Sequence, residues 1–153
     1  MVNMLLEGKF TLRAPIQKVW DTLLDPSTLA SCVPGAEKIE RIDEKTYDCM
    51  VKQKVGPISV SFKFKNIFTD LVPPKHMEFE GEGDDVGKAG HFAQKSVVDL
   101  QEISGGEVEV SYQTNVSIVG RLSMFGDRIM RAQAKKVQEQ LTKSLQEKLQ
   151  SSV

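Results

Sequence analysis

Residues 107–150 read EVEVSYQTNVSIVGRLSMFGDRIMRAQAKKVQEQLTKSLQEKLQ, and the period of their apolar positions changes once, near Gly120. Before it, Val108, Val110, Tyr112, Thr114, Val116 and Ile118 alternate with their neighbours, the period of two expected of a half-buried strand. After it, Leu122, Phe125, Ile129, Val137, Leu141, Leu145 and Leu149 form one helical stripe, with no proline or glycine beyond Gly126. At 1.5 Å per residue, a helix of about 25–30 residues is a rod of about 40 Å. Such a rod needs a partner for its stripe, and the hollow of a curved sheet supplies one.

The chain before this stretch supplies the sheet. Residues 6–12 alternate as a strand, and Pro15 opens a helix whose Ile16, Val19, Trp20, Leu23 and Leu24 share a face. Trp20 is expected to staple this helix to the sheet. Asp25-Pro26 ends it, because the residue before proline avoids helical geometry, and Asp25 is placed to cap a short helix over 27–32. Pro34-Gly35 closes that segment. Strands follow over 37–42 and 46–55, then from Ile58 through Phe68 to Pro73-Pro74, over 76–82, over 91–102 and over 107–119, with Gly105-Gly106 as a hairpin turn. The pattern is α+β: a curved antiparallel sheet of about six or seven strands around a long C-terminal helix, with one or two short helices after strand one. No repeat or linker interrupts residues 1–153, which read as a single domain.

Composition narrows the function. The 153 residues are 40% hydrophobic and 27% charged, enough for a core without disulfides or structural metal. A net charge of −1 gives no overall basic field for nucleic acid. Cys32 and Cys49 are too few for a disulfide framework and lack metal-ligand spacing, so a reducing cytoplasm is expected. The first ten residues lack the pattern of a signal peptide, and no run approaches the roughly 20 apolar residues of a membrane span. Membrane contact, where it occurs, is then peripheral.

Alternation places Val51, Gln53, Val55, Val60, Phe62, Phe64, Phe79, Phe92, Gln94, Ser96, Tyr112, Thr114 and Val116 on the face toward the long helix. A polar group there carries a penalty of about 1–3 kcal/mol when unpaired. Gln53, Gln94, Ser96 and Thr114 must therefore bond to one another, to backbone, to water or to a ligand. Met124, Phe125, Ile129 and Met130 are candidate walls on the helix side, although core packing explains such residues equally well. His76 and His91 sit in no ligand-spaced cluster and read as loop residues, so no metal site is expected. No cofactor motif, phosphate loop or catalytic Ser/His/Asp order is legible, and Tyr112 is the one ionisable group on the inward set. Arg128, Arg131, Lys135, Lys136, Lys143 and Lys148 read as a solvated helix face or as a docking stripe for anionic headgroups.

Several strings together resemble one family. They are Gly8-Lys9-Phe10, Ala14-Pro15 and Val19-Trp20; Asp25-Pro26 with Leu29; Cys32-Val33-Pro34-Gly35; Gly56-Pro57; Gly81-Glu82-Gly83; and Gly120-Arg121-Leu122 with Phe125-Gly126. In order and spacing they resemble the CoxG family, that of the carbon-monoxide-dehydrogenase G subunit, within the START-like, helix-grip (SRPBCC, polyketide-cyclase-like) superfamily. Lys88-Ala89-Gly90-His91-Phe92 departs from the family's usual run by a histidine before the aromatic residue. The resemblance implies a cavity between sheet and helix for a lipid or quinone-like molecule, and a redox-enzyme partner of the carbon-monoxide-dehydrogenase type. Gln53, Val60, Phe62, Phe64, Phe79, Phe92, Gln94, Ser96, Tyr112, Thr114, Met124, Phe125 and Ile129 are the expected lining, with no catalytic residue. Two rival readings are a cyclase- or hydrolase-like enzyme using that cavity and a protein-interaction component with a filled core.

Overall fold

The structure, a computed structural model, describes residues 2–55, 57–87 and 90–151, leaving aside the side chains of Val2, Leu122, Phe125, Asp127 and Ser151. The elements are β1 (Val2–Leu12), α1 (Ile16–Leu24), α2 (Pro26–Cys32), β2 (Ala36–Arg41), β3 (Thr46–Val55), β4 (Ile58–Val72), β5 (His76–Asp85), β6 (His91–Ser104), β7 (Glu107–Val119), a 3₁₀ turn (Arg121–Phe125) and α3 (Gly126–Ser151). The strands form a seven-stranded sheet in the order β1-β7-β6-β5-β4-β3-β2, antiparallel at every junction. This is the α+β helix-grip arrangement expected from the change of period at Gly120.

Three local expectations need correction. Strand β1 begins at Val2, not residue 6, because its first residues pair with Thr114–Ile118 of β7. The terminal helix is not continuous from residue 121: Gly120 and Gly126 take φ values of 99° and 72°, and a 3₁₀ turn lies between them. Glycine enters that left-handed region without steric penalty. The Asp25 carboxylate does not cap a backbone amide; it accepts the Thr28 hydroxyl at 2.6 Å.

Two apolar clusters fill the concave side. At one end Leu12, Val19, Trp20, Val108, Val110, Leu145 and Leu149 pack together, with Leu12, Val19, Val108 and Leu145 wholly excluded from solvent. The Tyr47 hydroxyl donates to the Leu24 carbonyl, and the Arg13 amide donates to Gln146 Oε1 at 2.8 Å, tying both helices to this end. At the other end Met130 meets Met4, Val55, Val60 and Ile118. Backbone approach of α3 is closest to β1, with only slight approach to β3, so the helix bridges the middle strands from one margin to the other.

The outer face is charged, and the histidines lie there as opening residues of β5 and β6 rather than in loops. Register brings His76 opposite Asp99, whose Oδ1 is 2.5 Å from Nδ1, while Nε2 lies 2.8 Å from Glu78 and 3.7 Å from Asp70. A bulge between Phe68 and Asp70 sets Asp70 beside Glu78. Asp99 is 23 residues from His76 and arrives through strand register, whereas Glu78 lies two residues on in the same strand and could have been read from the sequence. The hydrogen bond to Asp99, then that to Glu78, raises the His76 pKa from 6.5 to about 9.

Two outcomes follow from this packing. Leu145→Ala is expected to lower stability by about 2–5 kcal/mol in urea unfolding, the range for a fully buried leucine, while Ile129→Ala changes it by no more than about 0.5 kcal/mol. Equal effects would refute the assignment of the buried stripe. For His76, the folded value exceeds the unfolded one, so its stabilising contribution is complete below pH 6.5 and disappears as pH rises through about 9. An NMR titration should place the imidazole near that higher value and show a fall in Asp99→Asn; a wild-type midpoint at 6.5 would contradict the clasp.

Candidate ligand cavity

Between the two clusters the inner face changes character. One row across the sheet is Met4, Val116, Gln94, Gly81 and Asn66; the next is Leu6, Thr114, Ser96 and Phe79. Beside them Gly83 lies opposite Phe92 and Phe64. Gly81, Gly83, Ser96 and Thr114 are the small residues of these rows, set among Met4, Val116, Gln94, Asn66, Leu6 and Phe79. The alternation within β5 carries on from Met77 and Phe79 into Gly81 and Gly83, so that signal was available in the sequence.

The expected lining residues of the sheet do share this face. Phe62, Phe64, Phe79, Phe92, Gln94, Tyr112, Thr114 and Val116 are only half-buried although they point toward α3. Phe64 and Phe79 pack against the larger apolar cluster, and Phe62, Phe92 and Val116 against the smaller one. Phe92 contacts the rings of Phe62 and Phe64 edge-on, with centroids at 4.7 and 5.1 Å, making an aromatic wall beside Gly83. Val60 is 1% exposed and belongs to the core cluster with Met130.

The helix-side expectations fare differently. Met124 is 81% exposed and Ile129 is 41% exposed, so neither walls the cavity. Ile129 and Met130 both lie in α3 with the buried leucines, and each four-residue step back from Leu149 drifts by about 40° around the helix, so by the start of α3 it is Met130, not Ile129, that faces the sheet. The Phe125 side chain lies outside the described residues.

Most of the inward polar groups are paired within the protein. Ser96 and Thr114 share a 2.9 Å hydrogen bond. Gln53 donates to the Pro34 carbonyl at 2.7 Å and accepts from Gln133 Nε2 at 2.8 Å, joining the segment after α2 to α3. Tyr112 donates to Gln138 Oε1 at 2.7 Å, and burial raises its pKa. Gly8 makes room for that phenol, since a Cβ there would stand 2.6 Å from the Tyr112 oxygen. Asn66, which the inward set omitted despite its phase with Phe62 and Phe64, has a buried Oδ1 without a partner. Such an orphan costs about 1–3 kcal/mol.

Tyr112 is not the only inward ionisable group. Asp85, 5% exposed, lies opposite the inward Phe62 and accepts the Ser61 amide at 2.8 Å, which makes it an anchor for the strand end. Cys32 and Cys49 are buried and free, and burial pushes the Cys49 thiol up to about 11. Asp70, His76 and Glu78 put possible metal-ligand atoms within 4.8 Å of one another on the outer face. Hydrogen bonding to Asp99, and then to the same Glu78, raises the His76 pKa to about 9.

The outer face also carries an open groove of about 930 Å³, bordered by Leu5, Ile67, Lys65, Lys95, Glu80 and Glu82. Charged margins and free access to water make it unsuited to retaining an apolar molecule. Among the described residues no helix is long and apolar enough to cross a membrane.

Comparison with known proteins agrees with this geometry. A conserved protein from Geobacillus kaustophilus superposes with a TM-score of 0.90 at 23% identity, covering 97% of each chain. A START superfamily protein from Mycobacterium smegmatis gives 0.73 at 10% identity, covering 97% of this chain and 99% of that one. The Zhui aromatase/cyclase from a Streptomyces species gives 0.71 at 12% identity, covering 97% of this chain and 94% of that one. No curated protein matches the sequence. Residues 8–150, most of the sheet and nearly all of α3, match the CoxG family, that of the carbon monoxide dehydrogenase G subunit, and the chain belongs to that family.

Proposed function

We propose that this protein binds a hydrophobic small molecule, lipid or quinone-like, between the sheet and α3 and does not transform it. The observation that carries the reading is the set of inward phenylalanines, Phe62, Phe64, Phe79 and Phe92, that remain half-buried beside Gly81 and Gly83. Packed side chains would have covered them. An apolar guest completing that packing gains about 0.8 kcal/mol for each CH₂ it removes from water.

The family supports a second element of the reading, service to a membrane-linked redox enzyme of the carbon-monoxide-dehydrogenase type. Exposed Val86 follows β5, and exposed Met124 and Ile129 lie between the end of β7 and the first turn of α3, a stretch that also carries the exposed Arg121 and Arg128. Apolar tips beside arginines suit contact with an anionic bilayer, from which such cargo would be taken. The enzymatic alternative draws less support, because Tyr112 and Asp85 each already serve a hydrogen bond that holds the fold.

Native mass spectrometry of gently purified protein should show a co-purified apolar mass. In a homologous series of alcohols, affinity is expected to rise about fourfold per CH₂ until the hollow is filled. Thr114→Leu, which fills the floor, should abolish both signals while circular dichroism stays unchanged. A folded wild-type protein that shows neither bound mass nor chain-length dependence would defeat the carrier reading.

A further inference from the structure

Asp70, His76, Glu78 and Asp99 come together on the outer face from three strands. The bulge between Phe68 and Asp70 decides the arrangement. Phe64, Asn66 and Phe68 point inward at steps of two, so an unbroken β4 would turn Asp70 inward as well; the bulge re-aims it to the outer face, opposite Glu78. There its Oδ2 stops 3.7 Å from His76 Nε2, beyond hydrogen-bond range, while Glu78 Oε2 lies 2.8 Å from the same nitrogen. On the other side of the ring Nδ1 meets Asp99 Oδ1 at 2.5 Å. Three carboxylates thus surround one imidazole, and among the described residues no lysine or arginine forms an ion pair with any of them. An imidazolium offsets only one of those three charges.

We propose that Asp70, His76 and Glu78 form a binding site for a divalent transition ion of the zinc class. The site lies on the outer face and stands apart from the cavity reading. Ligand atoms of a tetrahedral zinc ion, bonded at about 2.0–2.2 Å, lie about 3.4 Å apart. The two distances to Nε2, 2.8 and 3.7 Å, straddle that spacing, and the three ligand atoms all lie within 4.8 Å of one another. Asp99 supplies what a histidine ligand needs from behind, since it holds the proton on Nδ1 and leaves the Nε2 lone pair for the ion. The proton that Nε2 otherwise shares with Glu78 goes to solvent. Half-exposed Asp70 and Glu78 leave a fourth position open to water. A nitrogen ligand favours zinc over magnesium and calcium, which prefer oxygen alone. His91 lacks this arrangement: Asp84 lies 2.8 Å from its Nδ1 and Glu82 3.7 Å from its Nε2, one carboxylate for each nitrogen.

Zinc chloride titrated into the whole protein with magnesium in excess, followed by calorimetry and by NMR of the two imidazole rings, tests the site. One ion per chain is expected, with the His76 ring signals shifting at the first equivalent and those of His91 unmoved. Asp70→Asn is the sharpest variant, because Asp70 makes no hydrogen bond to His76 and its loss leaves the contacts with Glu78 and Asp99 in place. It should weaken zinc binding at least about tenfold, and Asp99→Asn, which touches no ion, by about 10–100-fold. His91→Gln should leave the affinity unchanged. Zinc should also raise the unfolding temperature of the wild type but not that of His76→Gln. Absence of zinc uptake, equal shifts of both rings, or an affinity indifferent to Asp70→Asn overturns the site; the four side chains then form an ion-pair clasp alone.

Discussion

The seating of α3 at its C-terminal end is the constraint on which the rest of the molecule depends. Leu145 and Leu149 are buried against Leu12, Val108 and Val110 by strands that are themselves closed by Trp20 and Val19 from α1. Because this end alone holds a dense apolar core, the other half of the helix is free to bridge the sheet instead of lying on it. Met130 fixes the far end through a smaller cluster. The proposed binding site requires that a rod held at both ends above a curved sheet meet small residues beneath its middle.

The sheet meets that condition with specific choices. Gly81, Gly83, Ser96 and Thr114 would each be a weak choice if the aim were only to stabilise a sheet, since they add little packing and glycine weakens a strand. Their polar neighbours are tied up across elements, Gln53 to Gln133 and Tyr112 to Gln138, so α3 is held at a set height by hydrogen bonds rather than by collapse. Gly8 has a different task, since it yields space to the Tyr112 ring and so supports one of these struts. Several family-marking glycines therefore mark the shape of an interior rather than a chemical motif.

The sequence made the architecture legible because the two periods in residues 107–149 are long and nearly unbroken. Strand faces were legible for the same reason: no bulge falls among Gln53, Phe62, Phe64, Gln94 and Thr114, so alternation transferred to space without a phase error. The helix side was less readable. Four-residue steps from Ile129 to Leu149 look like one stripe, but at 3.6 residues per turn each step drifts by about 40°, so the N-terminal end of that run turns away from the sheet. The histidine clasps were hidden for another reason. His76 and Asp99 meet through strand register, His76 and Asp70 through a bulge, and neither event leaves a local pattern. Asn66 could have been found, since it follows Phe62 and Phe64 in phase.

The distribution of ionisable groups bears on why this interior suits a carrier. Catalysis of proton transfer needs a group free to exchange a proton with the reacting atom. Of the inward ionisable groups among the described residues, Asp85 holds the Ser61 amide at the strand end, Tyr112 holds α3, Tyr47 donates to the Leu24 carbonyl, and burial keeps the Cys49 thiol protonated at neutral pH. Freeing Asp85 or Tyr112 for chemistry would loosen the frame that keeps the hollow open. The strong charges are sent to the convex face, where His76 and His91 are clasped by carboxylates in water. What remains inside is apolar wall and amide, and amides neither gain nor lose protons near neutral pH. An interior of that kind discriminates by shape and by hydrogen bonding, which is what the proposed carrier role asks of it.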